Sequence, residues 1–233
     1  MSAKISKMSS DIADNIGTIR DKISAATLAY QKQTGVARPV TLVAVSKRQP
    51  DDRINSALTA GQRVFGENRV QEANGRWAHR RDCYADLKLH LIGPLQTNKV
   101  SDAVALFDVI EVVDRPKLAK ALGVEMARQN RQLECYIQVN TGEEEQKSGI
   151  APEEADDFIA YCRDEERLKI TGLMCIPPVY EEASMHFALL KTIAERNRIF
   201  TLSMGMSGDF ETAIAFGASS VRIGSAFFGQ RES

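Results

Sequence analysis

Three groups of residues carry chemistry. Lys47 ends the uncharged run Leu42-Val43-Ala44-Val45-Ser46. A charge directly after such a run has two readings. Either it leaves a sheet and reaches solvent, or it stands partly desolvated at the rim, where an amine has a lowered pKa and attacks carbonyls to form a Schiff base. The second group is Met204-Gly205-Met206-Ser207-Gly208-Asp209, where a strand ends in small residues and a helix begins near Asp209. Backbone N–H groups, a hydroxyl and a helix N-terminus together form an anion site. The third is Val221-Arg222-Ile223-Gly224-Ser225, an arginine on a strand that opens into Gly-Ser. Taken singly, each small-residue turn also fits a tight connection with a helix cap.

The elements that must position these residues follow from the pattern of the chain. After Pro39, eight short β-rich runs alternate with helical segments. The runs are Thr41–Ser46, Arg63–Gly66, Leu87–Ile92, Val109–Val113, Glu134–Val139, Ile170–Ile176, Phe200–Met204 and Ser220–Ile223. Their starts are spaced by 22, 24, 22, 25, 36, 30 and 20 residues, room for one helix and two loops each time. Helices are expected over Asp51–Ala60, Pro116–Gln129 and Ala151–Tyr161, the second with proline at its first position. Strands alternating with helices mean parallel βαβ units. Eight of them make a closed (β/α)8 TIM barrel the economical α/β fold. The alternative, a doubly wound open sheet, usually carries a glycine-rich turn after its first strand. Here that turn is Ser46-Lys47-Arg48-Gln49-Pro50, without glycine. Before the barrel, residues 11–33 read as one amphipathic helix packed on it, with Ile12, Ile16, Ile19, Ile23, Ala26 and Tyr30 on one face and Ser10 as N-cap.

A barrel collects function at the C-terminal ends of its strands, and phosphate sites often lie after strands seven and eight. That rule selects Lys47, Glu67 and Asn68, Gly93–Lys99, Asn140–Gly149, Pro177–Pro178, Ser207–Gly208 and Gly224–Ser225. A reactive lysine after strand one and an anion site after strands seven and eight together point to pyridoxal 5′-phosphate (PLP), whose aldehyde and phosphate would occupy opposite sides of the barrel mouth.

Composition narrows the rest. The chain has 233 residues, 30 Lys+Arg against 31 Asp+Glu and a net charge of −1, so it lacks the basic footprint of a general nucleic-acid binder. No run approaches a membrane span, and the start MSAKISKMSS has no apolar signal core. Cys83, Cys135, Cys162 and Cys175 form no C-x-x-C pair, and His79, His90 and His186 are the only histidines. A metal site is therefore not expected, and reduced thiols in a cytoplasmic setting are the default. Residues 1–233 read as a single domain, because no linker or low-complexity stretch divides them.

The chain resembles the pyridoxal phosphate homeostasis proteins, which are similar to the N-terminal barrel of alanine racemase, PLP fold type III. The resemblance rests on Leu42–Lys47, Phe65-Gly66-Glu67-Asn68 with Gln71-Glu72, and His90–Lys99. It continues through Gln146-Lys147-Ser148-Gly149, Gly172-Leu173-Met174, Leu202–Ser207 and Val221-Arg222-Ile223-Gly224. It implies that Lys47 carries PLP as a Schiff base. It implies that Ser207, Gly208, Gly224 and Ser225 hold the phosphate, with Ser225 where many relatives have threonine. Asn68 then lies near the cofactor, His90 and Ile92 on a strand lining the ring face, and Arg222 against the pyridine nitrogen. A permanently charged arginine there disfavours the protonated pyridine that makes the ring a strong electron sink.

A racemase of this kind also needs a second base, which the resemblance assigns to a tyrosine of a separate C-terminal domain. Only Phe227 to Ser233 follow the last strand motif, so the expectation is a PLP carrier or regulator, a monomer acting in vitamin B6 homeostasis, with no catalytic residues and with apo PLP-dependent enzymes as potential recipients. The alternatives are a small amino-acid racemase and a Schiff-base aldolase acting on a phosphorylated sugar. Tyr84 and Tyr180 are expected to be partly buried with satisfied hydroxyls rather than bases. Lys147 reads either as a loop lysine paired with Glu143, Glu144 and Glu145 or as a second amine that receives PLP during transfer.

Overall fold

In the computed structural model, which describes residues 2–229 and side chains from Asp11 onward, eight parallel strands close into a barrel in chain order. They are β1 (Thr41–Val45), β2 (Val64–Glu67), β3 (Lys88–Leu91), β4 (Val109–Val113), β5 (Glu134–Gln138), β6 (Lys169–Met174), β7 (Thr201–Ser203) and β8 (Ser220–Ile223). Both faces of these strands are covered, so they read as continuous apolar runs rather than alternating ones. All five residues of β4 are buried, although one of them is Glu111.

The outer layer is α2 (Asp51–Thr59), α3 (Val70–Arg81), α4 (Val100–Leu106), α5 (Pro116–Arg128), α6 (Ala155–Asp164), α7 (Ala183–Arg196), α8 (Phe210–Ala215) and α9 (Ser225–Phe228). Pro116 occupies the first turn of α5, where its missing N–H has no partner to lose. The segment Ala151–Glu154, expected to be helical, forms a turn instead, with Glu154 N–H donating to Ala151 O at 3.1 Å. α6 starts at Ala155, so Asp156 and Asp157 become its first-turn acids.

The N-terminal helix α1 (Ser2–Thr34) is longer than its apolar stripe. Ser10 lies inside it rather than capping it. Ala, Lys and Met before Ser10 are strong helix formers, and an interior serine costs only tenths of a kcal/mol. Ile12, Ile16, Ile19, Ile23 and Tyr30 are buried, and α1 packs against α2, α8 and α9. Because α9 is one short turn, α1 fills the position beside β8 and β1 that a long helix after β8 would otherwise cover. Arg38 secures this closure by donating to Gly217 O at 2.6 Å. Among the described residues no helix is long and apolar enough to cross a membrane.

Two irregularities lie in the middle of the sheet. The register shifts between Ile110 and Val113 on β4 and between Cys135 and Tyr136 on β5. Bulges of this kind re-aim side chains. Here they lie beside Glu111 and Tyr136, which both meet His90 inside the barrel.

Candidate functional site

Strand parity decides which residues meet. Val43 pairs with Arg222 and Val45 with Gly66, so residues 43, 45 and 47 continue the inner face of β1. Lys47 therefore emerges half-buried at the C-terminal mouth of the barrel. Ser46 points the other way, into a buried polar knot between β1, β2 and α3. Its hydroxyl donates to Glu67 Oε1 at 2.7 Å, and the same oxygen accepts from Arg76 at 2.8 Å and from Trp77 Nε1 at 2.9 Å. Arg76 also donates to Ser46 O at 3.1 Å and Gln49 O at 3.0 Å, and the Arg48 N–H donates to Glu72 Oε1 at 2.8 Å. Arg48 itself sits at φ 57°, a left-handed conformation that a non-glycine residue adopts only when its surroundings hold it there. The turn that carries Lys47 is thus fixed from outside the barrel.

The inner face carries a second network, one layer below the mouth. His90 Nδ1 lies 2.6 Å from Glu111 Oε1. The Ser203 hydroxyl donates to Glu111 Oε2 at 2.6 Å, Arg222 donates to Ser203 Oγ at 2.6 Å, and a second Arg222 nitrogen donates to Cys175 O at 2.8 Å. Burial by itself raises the Glu111 carboxyl, but the His90 hydrogen bond and charge, the Arg222 charge and the Ser203 hydroxyl outweigh it and hold the group below its ordinary range. Tyr136 meets the His90 ring edge-on at 6.5 Å between centroids, over Gly172, where a side chain would collide with the tyrosine ring.

At the mouth, the turns after β7 and β8 come together. Gly205 has φ 92°, and a Cβ there would lie 2.6 Å from Ala213 Cβ, so the exit from β7 requires glycine. The Ala226 N–H donates to Ser207 Oγ at 3.4 Å, which joins the Ser207–Gly208 turn to the start of α9. Among the described residues the N–H groups of Ser207 and Gly208 have no hydrogen-bond partner, and the space above Gly208 is open. Gly224 lies against Val45, two residues before Lys47, with its Cβ position 3.5 Å from Val45 Cβ. Asn68 follows β2, and its Oδ1 is buried without a partner. Gly93 packs on the Asn68 backbone, where any side chain would clash. Ile92 lies against Gly66 on the inner face.

The structure therefore brings Lys47, Asn68, Ile92, Ser207, Gly208, Gly224 and Ser225 to the mouth end of the barrel. His90 and Arg222 lie deeper, in the interior layer. Glu67 departs from expectation: it belongs to β2 and faces α3, because its neighbour Gly66 takes the inward position. Asp209 caps nothing in the usual way; its carboxylate accepts the Met206 N–H at 2.6 Å within the turn. Tyr180 is fully exposed rather than partly buried, as it stands on the loop after β6, and Tyr84 lies half-buried under Arg63, with 4.9 Å from guanidinium to ring centroid. Lys147 pairs with Glu144 and donates to Pro177 O at 3.1 Å, bridging the loops after β5 and β6. Glu111, Ser203, Arg76 and Trp77 lie outside the residues that the strand-end rule selects. Glu111 alone left a local signal, a lone carboxylate inside the run Val109-Ile110-Glu111-Val112-Val113.

A lysine after the first strand and a pair of small-residue turns with open N–H groups after the seventh and eighth define a class of parallel barrels whose mouth sets an amine opposite backbone donors. The family model described as "Alanine racemase, N-terminal domain" matches residues 10–232. The chain is 40% identical over 233 residues to the pyridoxal phosphate homeostasis protein of Escherichia coli (strain K12), covering 95% of this chain and 97% of that one. It is similar to the structure of PipY from Synechococcus elongatus PCC7942 with PLP bound, with 34% identity, a TM-score of 0.80, and coverage of 94% of this chain and 100% of that one. An alanine racemase of Clostridium difficile 630 shares the fold at 13% identity and a TM-score of 0.70, with 94% of this chain covering 57% of that one. The chain belongs to the alanine racemase N-terminal domain family and, within it, to the pyridoxal phosphate homeostasis proteins.

Proposed function

We propose that this protein binds PLP at the barrel mouth through Lys47 and serves PLP homeostasis rather than amino-acid turnover. The observation that carries the reading is the hydrogen bond from Ala226 to Ser207, which unites the two small-residue turns beside the end of β1. Bound PLP supplies an electrophilic aldehyde, a ring and a phosphate. Lys47 is the amine at the mouth, held by the Glu67–Arg76 knot. The free N–H groups of Ser207 and Gly208, with the hydroxyls of Ser207 and Ser225, form a donor set suited to a phosphate. The unpartnered Asn68 Oδ1 gives the site an acceptor. Arg222 stands two residues inward of Gly224 on β8, positioned by Ser203 and Glu111, and its guanidinium opposes protonation of a ring nitrogen placed near it.

The placement of the five tyrosines supports a carrier. Tyr30 lies against Gly217, Tyr84 beneath Arg63, Tyr161 on Glu166, Tyr136 inside the barrel beside His90, and Tyr180 in solvent. None offers a shielded hydroxyl across the mouth from Lys47. Apo forms of PLP-dependent enzymes are the recipients this reading implies.

The test is an absorbance titration with PLP of the wild type and Lys47→Ala, followed by borohydride reduction and peptide mass mapping. A reduced adduct on Lys47, absent in the variant, is expected. An adduct mapping to another lysine, or no adduct, overturns the Lys47 assignment. Incubation with a panel of amino acids in deuterated water is expected to show α-proton exchange no faster than free PLP gives; rapid exchange would make the protein a racemase-type enzyme.

A further inference from the structure

A further cavity lies at the other end of the barrel. It has a volume of about 680 Å³ and is framed by the first residues of the strands, Thr41, Val64, Lys88, Val109, Glu134 and Lys169 among them. That size is typical of small-molecule sites, and nothing in the Lys47 mouth uses it.

Its lining is polar inside and cationic at the rim. Ser220 is 2% exposed, and its Oγ has no hydrogen-bond partner. A buried hydroxyl without a partner costs free energy comparable to a lost hydrogen bond unless something from the cavity meets it. The Tyr136 hydroxyl has no partner among the described residues either; burial first, then the nearby charges of Glu111 and Glu134, push it above the ordinary tyrosine range and keep it a proton donor. Arg38, Lys88, Arg131 and Lys169 face two acids, Asp108 and Glu134. The acids are engaged: Asp108 with Arg81 at 2.7 Å and Glu134 with Lys169 at 3.3 Å. Arg38 and Arg131 bond backbone carbonyls, which orient them without neutralising them. Lys88 is exposed and makes no ion pair among the described residues. The cavity thus has an excess of positive charge above two inward hydroxyl donors.

We propose that this basal cavity binds a small organic anion, a carboxylate or a phosphate monoester, with its charged group between Lys88 and the hydroxyls of Ser220 and Tyr136. The site is independent of whatever the mouth holds. His90 belongs both to its wall and to the buried chain that ends at Arg222, so an anion there stands at one end of the interior charge pattern.

The test titrates the full chain with sodium phosphate and, separately, with sodium succinate at constant ionic strength, following backbone amide shifts by NMR. Saturable shifts of the Lys88, Thr201 and Ser220 amides at millimolar or lower concentration are expected with at least one probe, and which probe binds tighter distinguishes phosphate from carboxylate. Lys88→Glu and Ser220→Ala are each expected to weaken binding, the former by about tenfold, as loss of a charge-assisted contact does. Ser207→Ala is expected to leave these shifts unchanged. No saturable shift at the basal amides overturns the proposal, as does binding weakened by neither basal variant or weakened instead by Ser207→Ala.

Discussion

Arg222 and Glu111 face each other across the Ser203 hydroxyl, 3.9 Å apart at their closest, with the serine bonded to each at 2.6 Å. Two opposite charges are thereby kept inside the barrel by a third group that satisfies both. Removing one member of a buried pair leaves the other uncompensated. Glu111→Gln is expected to lower unfolding stability by about 3–5 kcal/mol, and Ser203→Ala by about 1–3 kcal/mol. Urea unfolding monitored by circular dichroism checks both.

The same carboxylate sets a pH dependence. Its folded-state pKa lies below the ordinary value, so its contribution to stability is present above the unfolded pKa and is lost as pH falls through the folded one. Wild type is expected to lose stability below about pH 4.5 more steeply than Glu111→Gln. Unfolding midpoints compared at neutral pH and at stepwise lower pH give the difference; parallel slopes would show that Glu111 does not titrate in this window.

Arg76 acts on Lys47 without touching the mouth. It holds the carbonyls of Ser46 and Gln49 and balances the fully buried Glu67. Arg76→Ala is expected to cost about 3 kcal/mol or more and to weaken adduct formation at Lys47 although Lys47 is intact. Arg76→Lys, which keeps the charge but cannot bridge both carbonyls, is expected to recover stability more than adduct formation.

Two glycines contrast a packed interior position with an open one at the mouth. At Gly172 a Cβ would lie 2.6 Å from the Tyr136 ring. Gly172→Ala is expected to destabilise by about 1–3 kcal/mol, as overpacking does. Gly208→Ala, where nothing lies within 4 Å, is expected to stay within about 0.5 kcal/mol of wild type. Thermal melts of the two variants side by side provide the measurement.

The four cysteines differ in reactivity. Cys83 is exposed. Burial, with a smaller push from Glu166, raises Cys162 to about 12. Burial also raises Cys175 to about 12 against the opposing pull of Arg222 and Thr141, and Cys135 is raised by burial as well. Iodoacetamide at neutral pH is expected to label Cys83 in the native protein and all four in urea, read by peptide mass.

Short windows of the chain specify the local part of this protein. The order of eight strands, the Lys47 terminus of the first, the glycine-bearing turns after the seventh and eighth, and the isoleucine stripe of the N-terminal helix are all written in short windows, because backbone preference and apolar spacing act over a few residues. Which way those residues face and whom they meet follows from closure of the barrel. Parallel strands covered on both sides lack the alternation that reveals parity, so nothing local tells that Gly66 turns inward and Glu67 outward. Ser203 and Glu111 are 92 residues apart in the chain. Their bond, like the choice of α1 to cover the seam beside β8 and β1, exists only because closure of the barrel places distant strands in one layer.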